Sequence, residues 1–305
     1  MTERVWQLIQ CDQRMTTVEL EKEVSISHGS IHAILSNDLK MTRVSAKFVP
    51  RQPTTDQMEC GVMVTGDLFE KSRQDPTFLT KIVTGDESWV FAYDPETKMQ
   101  LAEWHTASSP WPKKSCPVKS NEKVKLTAFF DINGVVHHEF VPPEQTVNGH
   151  LYAQVSQRLR NAVRRKQSDK WQGEWFLHHN NAPSHISLIV QQFLAEKSIP
   201  VITQPPYTPD LTPSDFWLFP TLKMGLKGTR FATMEDIKSN ATSELQKIPK
   251  EAFCQCFQQW QDRWSKCVCV RKGPNLKVIR YVLSYVLPLQ WCTTFPENLT
   301  LIKHT

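Results

Sequence analysis

Two periodicities divide the chain. Over residues 1–40 apolar side chains recur at helical spacing. Val5, Trp6, Leu8 and Ile9 make a first patch, Val18, Leu20 and Val24 a second, and Ile31, Ile34 and Leu35 a third at i, i+3, i+4. Thr16 or Thr17 is placed to cap the second helix and Ser27 the third. A helix, a short turn and a helix opening on small polar residues form the plan of a helix-turn-helix, whose second helix turns its N-terminal side chains to the DNA major groove. On that reading Ser27, His28, Ser30 and His32, with Ala33, are candidate DNA contacts. Any small three-helix bundle carries the same apolar pattern. Residues 40–51 hold Lys40, Arg43, Lys47 and Arg51 and no acid. Such a linker suits a phosphate backbone, and equally a solvated connection.

From residue 78 the period shortens to two. Phe78–Tyr93 reads as a long strand with Asp86 inside it. A carboxylate there is expensive unless it is paired or binds a cation. Residues 94–122 form a long, Pro-rich polar connection with Trp104, Trp111, Lys113, Lys114 and Lys119. Two further strands, 124–131 and 135–141, flank Asn133-Gly134, a type I′ hairpin signal. A helix follows over 147–166, with a C-terminal half rich in Arg158, Arg160, Arg164, Arg165 and Lys166. That half either compensates the helix dipole or faces DNA. Then come a strand at 174–180, a helix at 184–197, a strand at 199–203, and a helix whose N-cap is Thr212 with Pro213 at its first position. Helices at 233–247 and 249–266 complete the series. The order predicts an α/β fold, a mixed sheet flanked by helices and preceded by a small all-helical domain.

Composition narrows the class. The 305 residues are 40% hydrophobic with ten tryptophans, enough for a substantial core, and the formal net charge is +5. That charge is a weak indicator of a polyanionic partner. No apolar run approaches the ~18 residues of a membrane helix. Without a secretory signal at the N-terminus, the eight scattered cysteines are expected to be reduced thiols of an intracellular protein. Cys254-x-Cys256 and Cys267-x-Cys269 lack a nearby His and zinc-finger spacing, so they are read as ordinary helix cysteines.

Asp86, Asn180 at the end of a later strand, and Asp215 in the first turn of a helix are the candidate metal ligands. Two Mg²⁺ ions about 3.5–4 Å apart can activate a water or hydroxyl and stabilise the leaving oxygen in phosphodiester cleavage. Hard cations of this kind prefer carboxylates, and here the third position offers a neutral amide. Glu174 cannot substitute, being six residues before Asn180 on the predicted strand, and Glu87 points to the face opposite Asp86.

These stretches resemble the mariner family of transposases, within the Tc1/mariner superfamily. The resemblance is carried by Thr84-Gly85-Asp86-Glu87-Ser88-Trp89, Tyr93-Asp94-Pro95-Glu96-Thr97-Lys98, His178-His179-Asn180-Asn181-Ala182-Pro183-Ser184-His185 and Pro205-Pro206-Tyr207-Thr208-Pro209-Asp210-Leu211-Thr212-Pro213-Ser214-Asp215. Phe48-Val49-Pro50-Arg51 resembles the family's linker motif, where a Trp usually stands at the Phe48 position. The 34 residues between Asn180 and Asp215 match the family's separation of its second and third catalytic acids. Asp86, Asn180 and Asp215 therefore fall on the three catalytic positions, and the similarity runs over about residues 3–268.

The resemblance implies an RNase H-like catalytic domain over 78–270, a helix-turn-helix domain over 1–40, and a basic linker and connecting helix over 41–77. It implies Mg²⁺ or Mn²⁺ as cofactor, double-stranded inverted-repeat-like DNA as partner, a homodimer clamped by the 94–122 loop, and a nuclear location. Three departures stand out. The family carries two helix-turn-helix units and this chain opens at the second, an N-terminal truncation on this reading. Asn180 replaces the middle aspartate, so cofactor binding is expected to be weak. The tail 271–305 is unlike the family. The expectation is a transposase-derived DNA-binding protein with an impaired cleavage site. The alternatives are a residual Mg²⁺- or Mn²⁺-dependent nicking enzyme acting in DNA integration or repair, and an expressed relic without a selected role.

Overall fold

The computed structural model describes residues 1–12, 14–41, 43, 54–97, 100–101, 117–143 and 145–271. The chain divides into two compact units, Met1–Phe48 and Val49–Thr305.

The first unit holds helices α1 (Thr2–Cys11), α2 (Thr17–Val24) and α3 (His28–Ala33), the last continued by a π-helical turn, Ile34–Asp38. Val5, Ile9, Leu20, Val24 and Ile31 are its buried core. Thr16 starts α2 with a reciprocal cap. Its hydroxyl accepts the Glu19 N–H at 3.2 Å, and its own N–H donates to the Glu19 carboxylate at 2.6 Å. Ser25, in the left-handed region at φ 58°, ends α2, and two residues later Ser27 caps α3 by accepting the Ser30 N–H.

The second unit begins with α4 (Thr55–Gln74) and a 3₁₀ turn, Phe78–Lys81. The strands are β1 (Ile82–Phe91), β2 (Lys123–Asp131), β3 (Gly134–Phe140), β4 (Phe176–His178) and β5 (Val201–Ile202). They form one sheet in the order β3-β2-β1-β4-β5. The pairs β3/β2 and β2/β1 are antiparallel, whereas β1/β4 and β4/β5 are parallel. This mixed sheet gives two layers of helices. The α5 (Gly149–Lys166) and α7 (Leu188–Glu196) helices cover one face, with Val83, Phe129, Tyr152, Leu159 and Leu177 in the core between. The other face carries α4, α8 (Phe219–Leu226), α9 (Met234–Lys247) and α10 (Lys250–Arg271) over Ile82, Val90, Leu126 and Phe130. A short helix, α6 (Ser168–Gln172), follows α5. Among the described residues no helix is long and apolar enough to cross a membrane.

Several expected boundaries move. The strand expected from Phe78 starts at Ile82, because Phe78 turns into the core from the 3₁₀ segment instead. The strand expected over 174–180 pairs only at Phe176–His178. Asn180 therefore lies in the loop beyond it, and Glu174 is an exposed residue before it. The expected 199–203 strand reduces to Val201–Ile202, and the 184–197 helix to Leu188–Glu196. The hairpin is not type I′. Its two turn residues are Ile132 and Asn133, only Gly134 has positive φ (133°), and the Asp131 carboxylate accepts the Asn133 N–H at 2.8 Å, an Asx turn. Cys254, Cys256 and Cys267 are free thiols on α10. The 271–305 tail lies outside the described residues from position 272 on, as does most of the 94–122 loop, including Trp104, Trp111, Lys113 and Lys114.

One glycine ties β1 to the α5 side of the sheet. Gly85 faces Phe129 across the β1/β2 pair, and a Cβ at position 85 would fall within the van der Waals envelope of that fully buried ring. The Gly85→Ala variant should lose about 1–3 kcal/mol by overpacking, read from its urea midpoint. Added Phe129→Leu should restore part of the loss. An unchanged midpoint in Gly85→Ala would contradict this packing.

Candidate active site

Three elements meet at Asp86. β1 carries it near the middle of the sheet, the loop after β4 brings Asn180, and a π-helical turn, Ser214–Leu218, brings Asp215. Such π-turns recur at functional sites. The expected N-cap does not form. Thr212 turns its hydroxyl inward to Gln204, while its carbonyl accepts the Asp215 N–H at 2.9 Å.

Asp86 is 6% exposed. Its Oδ1 accepts the Glu87 N–H at 2.7 Å and an Asn180 Nδ2–H at 2.8 Å. Asn180 Oδ1 accepts the Ala182 N–H at 2.9 Å. A backbone N–H can only donate, so the amide oxygen must face Ala182 and the NH₂ must face Asp86. The Asn180 nitrogen thus occupies the corner where a carboxylate would have turned its second oxygen toward Asp86.

Burial pushes the Asp86 carboxyl up to about 7, with the charges of Asp215 and then Glu87 adding to the rise, against the Glu87 N–H and the His185 charge. Asp215 opens to solvent, yet surrounding protein raises it to about 6, Lys223 opposing and Asp210 adding. Glu87, on the other face of β1, accepts from His185 Nε2 at 3.2 Å.

Behind the site lie groups that the sequence pattern did not single out. The His185 ring stacks on Tyr152 at 3.8 Å between centroids and lies parallel to His179 at 5.3 Å. The Tyr152 hydroxyl meets His179 Nδ1 at 2.9 Å. The fully buried His178 meets Thr84 Oγ1 through Nδ1 at 2.8 Å and Gln204 Oε1 through Nε2 at 2.7 Å. The one available signal was polar residues at inward positions of apolar strands, at Thr84 and His178. Among the described residues no three His, Cys, Asp or Glu side chains gather as a metal cluster. The arrangement holds two carboxylates and one amide.

The candidate DNA-contact residues lie in the first unit. Ser27, His28, Ser30 and His32 are all exposed. Ser27 and Ser30 hydroxyls bond each other at 3.0 Å as part of the α3 cap, and His28 Nε2 meets Thr17 Oγ1 at 2.9 Å. Lys40 and Arg43 are exposed, whereas Lys47 and Arg51 lie outside the described residues. The basic end of α5 is largely engaged within the fold. Arg158 forks onto Glu139 at 2.7 and 2.8 Å, Lys166 donates to the Val136 carbonyl, and Arg160 stacks on Trp171.

Comparison with known proteins places this geometry. A family model for transposases (partial DDE domain) matches residues 94–173. The mariner Mos1 transposase of Drosophila mauritiana is 28% identical over 263 residues, covering 86% of this chain and 75% of that protein. The crystal structure of the Mos1 mariner paired end complex with Mn superposes at a TM-score of 0.72 with 26% identity, over 90% of this chain and 79% of that one. The chain is similar over most of its length to mariner transposases. Its mixed sheet and flanking helices match the RNase H-like architecture of the Mos1 structures, and the Mos1 catalytic domain alone superposes at 0.61 with 28% identity, over 73% of this chain and 97% of that one. The human histone-lysine N-methyltransferase SETMAR is also 28% identical, over 262 residues; the match spans 86% of this chain but 38% of the human protein.

A raised carboxyl pKa has a definite sign in stability. Between the ordinary value near 4 and about 7, folded Asp86 keeps a proton that the unfolded chain has lost, so rising pH favours unfolding. In chelator the stability should fall by about 2–4 kcal/mol from about pH 5 to about pH 8, and Asp86→Asn should remove most of that slope. Urea titrations across pH check this. Parallel slopes for the two proteins would contradict the buried, charge-stressed Asp86.

Proposed function

We propose that this mariner-derived chain binds inverted-repeat-like DNA and carries a divalent-metal cleavage site impaired at Asn180. The observation that carries the reading is the orientation of the Asn180 amide, which gives Asp86 a hydrogen-bond donor. Asp86 and Asp215 are oxygen donors whose repulsion a divalent cation relieves, so they suit Mg²⁺ or Mn²⁺. When bound there, such an ion supplies Lewis-acid stabilisation to the attacking and leaving oxygens of a phosphodiester. Asp86 and Asp215 would hold it. Asn180 adds no negative charge, and its NH₂ donates to Asp86.

The first unit supports the DNA half of the proposal. α2, the Ser25–Ser27 turn and α3 have helix-turn-helix form, and exposed His32, Lys40 and Arg43 are free to meet base edges and phosphates. The Mos1 relatives solved as paired-end and strand-transfer complexes support double-stranded transposon ends as the partner and a homodimer as the acting form. A partner of this kind is the ground for a nuclear location in this reading. Residual nicking is the second reading, favoured by the survival of Asp86 and Asp215 in one site.

The test uses the full chain and its Asn180→Asp variant on a labelled mariner-end duplex with Mn²⁺ or Mg²⁺. Both should shift the duplex equally, and Asn180→Asp should nick it at least ~100-fold faster, the scale of a lost transition-state charge interaction. Equal, robust cleavage by both would overturn the impaired site. Undiminished binding after deletion of residues 1–51 would overturn the recognition half.

A further inference from the structure

One buried hydrogen-bonded path links all three elements that carry Asp86, Asn180 and Asp215. It starts at Thr84 on β1, two residues from Asp86, whose hydroxyl meets His178 Nδ1 at 2.8 Å. His178 closes β4, two residues before Asn180, and its Nε2 meets Gln204 Oε1 at 2.7 Å. Gln204 Nε2 donates to the Thr208 carbonyl at 3.0 Å and to the Thr208 and Thr212 hydroxyls at 2.9 Å each. The Thr212 carbonyl then accepts the N–H groups of Asp215 and Phe216 at 2.9 and 3.0 Å. The Gln204 backbone carbonyl accepts from Asn181 Nδ2 at 2.6 Å. Gln204 is thus bonded to both of the loops that the active-site residues occupy.

The roles along the path are determined by chemistry. Gln204 spends its NH₂ on three oxygens, so its amide oxygen faces His178. His178 Nε2 must therefore carry the proton, and Nδ1 must accept from the Thr84 hydroxyl. Every member is at least 94% buried: Thr84 and His178 are 0% exposed, Thr212 2%, Gln204 5% and Thr208 6%. Trp260 seals the path, its ring edge-on to His178 at 4.7 Å between centroids. A satisfied buried network of this kind specifies one geometry, because any displacement leaves a polar group unpaired.

We propose that Gln204 is a positioning residue that fixes the spacing of Asp86, the Asn180 loop and Asp215 through the Thr84–His178–Gln204–Thr212 path, and so sets divalent-ion affinity at that site. The inference rests on the metal-site reading of those three residues. The test therefore begins from Asn180→Asp, with Mn²⁺ alone as the probe and electron paramagnetic resonance as the readout. Thr212→Val keeps the side-chain shape and leaves Gln204 NH₂ bonded to Thr208, so it cuts only the last link. In the Asn180→Asp background it should weaken Mn²⁺ binding about tenfold, the usual effect of a lost outer-shell partner. Circular dichroism and DNA affinity should stay those of the parent. Thr84→Val, cutting the other end, should weaken Mn²⁺ binding likewise and serves if Thr212→Val folds poorly. Ser214→Ala is the control, since Ser214 directly precedes Asp215 yet its hydroxyl has no hydrogen-bond partner. It should bind Mn²⁺ as the parent does. Parental Mn²⁺ affinity in both folded threonine variants would overturn the positioning role and leave the metal site standing. Failure of Asn180→Asp itself to bind Mn²⁺ would overturn the metal site and this inference with it.

Discussion

A carboxylate near the middle of a buried strand is the constraint around which this domain is organised. Asp86 cannot keep its charge among apolar side chains without help. Help comes as a proton, a cation or hydrogen-bond donors, and the fold brings each within reach. The Glu87 N–H and the Asn180 amide are the donors, and the pKa near 7 records how readily a proton is taken. A third aspartate would leave the cation as the main remedy. On the proposed reading Asn180 shifts the balance from metal to hydrogen bond, since its amide donates to Asp86 and accepts from Ala182.

The scaffold around that constraint matches the fold of the Mos1 transposase structures. The antiparallel β1/β2 pair and the parallel β1/β4 pair put Asp86 beside the end of β4, and α10 closes the layer beneath. α10 also grips the segment leading to Asp215. Trp260 donates to the Leu211 carbonyl at 2.7 Å, Arg263 donates to the Asp210 carbonyl at 2.9 Å, and its guanidinium stacks on Phe216 at 3.9 Å. The architecture that places the three residues and the charge that they carry are separable properties. On the proposed reading the first is retained and the second is one carboxylate short of the mariner pattern.

Much of this was legible in the residues, for physical reasons that can be named. Helix starts were readable at Thr16 and Ser27 because a cap is a local bond over three residues. The three candidate metal-ligand positions were singled out by their resemblance to the mariner pattern, since their spacing matches it. Strand ends were not. Residues 174–180 read as one strand, yet pairing stops at His178, where the chain turns so that Asn180 can reach Asp86 and Ala182. Periodicity marks a face as buried but does not say that His178, Thr84 and Gln204 share a hydrogen-bonded path, since their partners are distant in sequence. The hairpin was misread because Asp131 supplies a side-chain acceptor that stabilises a turn one residue earlier than Asn-Gly suggests.

The most direct measurement is the thermal midpoint of the chain and of Asn180→Asp as Mg²⁺ is raised from chelator to about 10 mM, because an ion bound only by the folded state stabilises it. If Asn180 replaces a metal ligand by a hydrogen-bond donor, the midpoint of the chain itself should stay flat while that of Asn180→Asp climbs with Mg²⁺. Equal climbs in both would show that the amide takes the ion as well as a carboxylate does, and would contradict the account.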